Sequence, residues 1–71
     1  MTDEQKALIE TEVFAWMKAN EPTSLEQGYP PWKCVLHVFA QFGREPREDL
    51  ESADIAREVY LAWKAYKAPK S

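Results

Sequence analysis

Hydrophobic side chains recur with helical spacing in three stretches of the chain. In the first, Ile9, Val13, Trp16 and Met17 stand at i, i+4, i+7 and i+8 and so share one face of an α-helix. The stretch opens on a capping box, Thr2-Asp3-Glu4-Gln5. Its Thr2 hydroxyl can accept the Gln5 N–H while the Gln5 side chain reaches back to the Thr2 backbone. Asp3 and Glu4 suit the positive end of the helix dipole. Asn20 suits a C-terminal cap, and Pro22 cannot continue a helix. The pattern predicts a helix over 3–20.

In the last stretch Ile55, Val59, Ala62, Trp63 and Tyr66 repeat the same spacing. Lys64, Lys67 and Lys70 gather where a helix C-terminus favours positive charge, and Pro69 ends the segment. With Pro46 available for a first turn, the reading is a helix over 47–68, although Ser52 offers a later N-cap.

The middle stretch, GYPPWKCVLHVFAQFG, lies between the only two glycines, Gly28 and Gly43. Pro30 and Pro31 cannot sit inside a helix but suit its start, and Gly43 suits the position just past its end. Between them Cys34, Val35, Val38, Phe39 and Phe42 follow helical spacing, and Trp32 and Leu36 widen the apolar arc. Only Lys33, His37, Ala40 and Gln41 are left for water, which predicts a buried helix over 31–42. Cys-Val-Leu-His-Val-Phe also reads as a strand, but no other segment offers a pairing partner.

Residues 21–30 form a link. Within it Ser24-Leu25-Glu26-Gln27 repeats the capping-box pattern and can make one helical turn, with Leu25 and Tyr29 as inward anchors. Tyr29-Pro30-Pro31-Trp32 has the composition of a polyproline ligand. Its place before a helix favours a turn in which Tyr29 and Trp32 pack on each other or on the first helix.

These segments specify an all-α chain: one helical domain over 1–71, a small three-helix bundle with a short, apolar central helix. Three tryptophans, one per helix (Trp16, Trp32, Trp63), can share its core. The 71 residues are 45% hydrophobic and 13% aromatic, enough for a core but a marginal one. A single cysteine rules out an internal disulfide and suits a reducing compartment. The N-terminus lacks the basic and apolar regions of a signal peptide, and no apolar run reaches membrane-spanning length. The expected location is the cytoplasm, with no membrane partner. A net charge of −3 gives no general attraction to nucleic acid.

Five apolar side chains exceed what the core faces need. At 100° per residue, Phe14 lies about 140° from Ile9, Leu61 about 160° from Val59, and Leu36 about 160° from Val38. Leu50 falls on the same back face as Leu61, and Trp32 extends the arc of the middle helix. Phe14, Trp32, Leu36, Leu50 and Leu61, rimmed by Glu10, Lys18, Asp54 and Arg57, are the candidate partner-binding residues. They suggest a non-catalytic adaptor or inhibitor that binds another protein or its own copy. The alternative is a nucleic-acid-associated accessory protein using the basic and aromatic residues Tyr60, Lys64, Lys67 and Lys70.

Catalytic and metal chemistry find little footing. Cys34 and His37 stand at i, i+3, but two ligands do not close a tetrahedral site and no second Cys/His pair exists. A reactive thiol needs an electropositive, open setting, whereas Val35, Val38 and Phe39 surround Cys34. Two isolated glycines make no phosphate loop. The sequence implies neither an enzyme nor a cofactor.

Overall fold

The first helix, α1 (Asp3–Asn20), begins where its capping box closes. The Gln5 N–H donates to Thr2 Oγ1 at 3.1 Å, and the Thr2 N–H donates to Gln5 Oε1 at 2.9 Å. At the other end the Asn20 side-chain amide folds back over the last turn and donates to the Trp16 carbonyl at 2.8 Å. The computed structural model describes residues 1–20 and 29–67. The predicted turn at Ser24–Gln27 with its anchor Leu25, the stop at Pro69 and the basic residue Lys70 lie outside the described residues.

The middle stretch is helical, as α2 (Trp32–Gln41), and no strand occurs among the described residues. Pro31 is its N-cap rather than part of its first turn, with φ −57° and ψ 139°. The Pro31 carbonyl accepts the N–H groups of Cys34 and Val35 at 3.0 and 3.2 Å. Past the last turn the Gly43 N–H donates to Ala40 at 3.0 Å and the Arg44 N–H to Phe39 at 3.3 Å. That paired closure is a Schellman motif, and it requires the left-handed φ of +65° found at Gly43.

The third helix, α3 (Leu50–Lys67), starts three residues later than the predicted 47. Its N-cap is Asp49, whose Oδ1 accepts the Ser52 N–H at 2.7 Å. Ser52, which looked like a possible cap from sequence, is buried in the first turn instead. Its hydroxyl accepts the Arg47 N–H at 3.1 Å. Arg44 completes the connection by donating to Asp49 Oδ2 at 2.8 Å and to Glu51. The stretch from Arg44 to Arg47 therefore folds back onto the start of α3 and cannot join it.

Among the described residues eleven apolar side chains make the core: Ile9, Val13 and Met17; Cys34, Val35, Val38 and Phe39; Ile55, Val59, Ala62 and Trp63. Trp16, Phe42 and Tyr66 pack around its edge. All fourteen lie on the predicted apolar faces. Two expectations fail. Trp32 does not share the core and is 62% exposed. Nor is α2 the central element, because α1 and α3 share the largest of the three helix–helix interfaces and α2 and α3 the smallest. Two eighteen-residue helices can bury far more surface against each other than either can against ten residues, so the long pair dominates.

Gly43 has no atom within 4 Å of the place a Cβ would take, so a side chain there meets backbone strain and no clash. Gly43→Ala should cost about 1 kcal/mol, lowering Tm by roughly 4–8 °C in a domain of this size, as thermal circular dichroism would read. The Asp49 carboxyl is held below its ordinary range by the Ser52 N–H first, then by the Ser52 hydroxyl and Arg44. The fold thus favours the ionised form, and this stabilisation is lost as pH falls through the lowered folded value. Asp49→Asn keeps a capping oxygen that does not titrate and should flatten the acid limb of a Tm–pH profile.

Candidate functional site

The α2–α3 interface is the smallest of the three. Along the α2–α3 seam lies a groove of about 510 Å³. Val35 and Phe39 line it from α2, and Ala53 and Ala56 from α3. Trp32 and Leu50 also line it, and the chain from Pro46 to Asp49 borders it. The cause is a mismatch of side-chain size. At positions 53 and 56 α3 presents two alanines, one turn apart, to a flank of α2 that carries Trp32, Val35 and Phe39. Short side chains opposite long ones leave a trough.

The groove is flanked by apolar groups in water. Leu50 is 85% exposed and Trp32 62%. Leu36, 40% exposed, stands one turn beyond Trp32 on the same flank of α2. Tyr60, 36% exposed, stands one turn beyond Ala56 on α3. Tyr29 is 66% exposed, so it is not the inward anchor its position suggested; the buried member of Tyr29-Pro30-Pro31-Trp32 is Pro30.

The five candidate partner-binding residues do not form one patch. Trp32 and Leu50 line the groove, and Leu36 stands one turn beyond Trp32 without lining it. Leu61, 45% exposed, belongs to the outer face of α3. Phe14 belongs to neither surface. Its ring meets Tyr66 edge-on, with centroids 5.3 Å apart and planes at 78°, so it is half-buried in the α1–α3 seam. The close pairing of these helices brings α3 across an angle of α1 that a helical wheel assigns to solvent. The groove walls at Val35, Phe39, Pro46, Ala53 and Ala56 were missed. The first two read as pure core, and the alanine pair at i, i+3 was the signal available for the rest.

The basic and aromatic residues of α3 are turned toward one another. The Lys64 Nζ lies 5.4 Å from the Tyr60 ring centroid and the Lys67 Nζ 4.1 Å from that of Trp63. Tyr60 and Trp63 lie 6.0 Å apart with their planes tilted by 39°. At 1% exposure the Trp63 ring has no open face on which a base could stack. Lys70, the last member of that set, is outside the described residues.

Cys34 and His37 sit in different surroundings. Cys34 is fully buried, and burial pushes its thiol up to about 11, which favours the protonated form at neutral pH. His37 turns toward α1, where its Nε2 lies 3.8 Å from Glu12 Oε1. Among the described residues no group of three His, Cys, Asp or Glu side chains could hold a metal ion. Among them, too, no helix is long and apolar enough to cross a membrane. No protein-family model matches the chain, and no curated protein or solved structure matches it.

Burial makes Cys34 a reporter of unfolding. Its reaction with an aromatic disulfide reagent should be slower in the native protein than in denaturant by a factor on the order of 10³ or more. Labelling of native protein at the rate of a free thiol would contradict the buried placement.

Proposed function

We propose that this chain is a small, non-catalytic protein–protein interaction module, an adaptor or inhibitor, whose α2–α3 groove seats an apolar segment of a partner protein. One observation carries the reading: the exposed Trp32 and Leu50 line an apolar trough. Water against these groups is unfavourable by about 25 cal/mol per Å² of apolar surface, and a docked segment removes it. Interfaces concentrate their binding energy in a few central aromatic and apolar anchors of this kind. An open groove between two helices accepts the apolar face of a third helix, read through anchors spaced i, i+4. Charges of both signs at Arg47, Glu48 and Asp49 close one end and favour one direction of docking.

The mechanism is steric. The module covers a partner's working surface or holds two surfaces together, and it supplies no reacting group. Support for the non-catalytic part comes from the protonated, enclosed Cys34 and from the turn of His37 toward Glu12. A lone buried thiol suits the reducing cytoplasm. Association with nucleic acid has less support, because Lys64 and Lys67 lie against rings of their own helix and Trp63 is enclosed.

Affinity capture from the cell of origin tests the groove. Proteins retained by the wild type should be lost with Trp32→Glu and with Leu36→Glu but kept with Leu8→Glu, an exposed control on α1. Recovery of the same proteins by all four would refute the groove as the docking surface. Retention that collapses steeply between low and moderate salt would instead favour the basic end of α3.

A further inference from the structure

The outer face of α3 carries a second exposed stripe, on the side of the helix away from the core. Leu50, Asp54, Arg57 and Leu61 stand at i, i+4, i+7 and i+11, within an arc of about 60°. All four are exposed, with Leu50 at 85% and Leu61 at 45%. Among the described residues neither Asp54 nor Arg57 makes an ion pair. The stripe reads apolar, acidic, basic, apolar, and this order is complementary to its own reverse. Laid antiparallel on itself about a point between residues 55 and 56, Leu50 of one copy meets Leu61 of the other. In the same register Asp54 of each copy meets Arg57 of the other. One contact satisfies four apolar side chains and four charges, as an isologous two-fold interface demands.

We propose that α3 pairs antiparallel with α3 of a second copy through this stripe, forming a two-fold dimer. The occupant is a second copy because the charge order matches this sequence reversed, and a foreign helix would need that pattern independently. Antiparallel packing also sets the two helix dipoles in their favourable mutual orientation. The stripe is about 16 Å long, so the interface falls at the small end of specific contacts, below roughly 1,200 Å² in total. Such an interface supports association weaker than about 1 µM. This surface shares only Leu50 with the α2–α3 groove, so the dimer and the groove reading stand or fall separately.

Sedimentation equilibrium between about 10 µM and about 1 mM reads the proposal. The wild type should fit a monomer–dimer equilibrium, and Leu61→Glu should be monomeric throughout with unchanged far-ultraviolet circular dichroism. Trp32→Glu, which alters only the groove, should still dimerise. Asp54→Arg and Arg57→Asp should each weaken the dimer about tenfold, because each sets like charges against one another twice across the interface. The double reversal restores opposite charges and should return the dissociation constant to within about threefold of the wild type. A monomeric wild type at about 1 mM would overturn the proposal. So would a dimer that survives Leu61→Glu, one abolished only by Trp32→Glu, or a double reversal no tighter than the weaker single variant.

Discussion

The pairing of α1 with α3 is the contact on which the rest of the molecule depends. Ile9, Val13 and Met17 on one helix and Ile55, Val59, Ala62 and Trp63 on the other are all buried. Trp63 is the largest fully buried side chain, and an aromatic of that size dominates the energy of a core with few residues. Phe14 and Tyr66 extend the same seam at its edge. Because these helices satisfy each other over most of their length, α2 has one inward face to fill, and its remaining apolar residues have nowhere to go within the described chain.

The position of α2 is set by its two ends. Pro31 starts it and the Schellman closure at Gly43 stops it, so it cannot lengthen to cover more of α3. From Gly43 the chain passes directly into the hydrogen-bond cluster of Arg44, Arg47, Asp49 and Ser52. That cluster holds the start of α3 against the end of α2 with charge-assisted bonds. The ion pairs of Arg44 are solvent-accessible at the carboxylates, so their role is in geometry more than in net stability. Close at this end and loose along its length, the α2–α3 seam opens beside Ala53 and Ala56 into the groove.

Both candidate surfaces therefore trace to the same economy of core. The eleven-residue core of the described chain leaves Trp32, Leu36, Leu50 and Leu61 outside it. Trp32 lines the groove from α2 with Leu36 one turn beyond it, Leu61 belongs to the outer stripe of α3, and Leu50 belongs to both. The charged and aromatic groups at the end of α3 contact each other, and His37 bridges to Glu12 between α1 and α2. The polar residues hold the helices together, and the spare apolar residues are left in water.

Local chemistry was legible in the sequence wherever its cause lies within a few residues. The capping box at Thr2, the helix stop at Gly43 and the apolar stripes of all three helices follow from spacing and backbone preference alone, and each appears where it was read. The excess of apolar residues was also countable, and Leu36 and Leu61 are indeed in water. What spacing cannot carry is which helix faces which. Phe14 has a solvent angle on an isolated wheel, and only the close approach of α3 turns it into a seam residue. Trp32 has a core-like arc, and only the dominance of the α1–α3 pair leaves it outside. The start of α3 moved from 47 to 50 because Arg44 and Ser52, eight residues apart, draw the intervening chain into a turn. The groove itself exists in neither helix; it is the gap between two alanines and a tryptophan that tertiary packing alone set side by side.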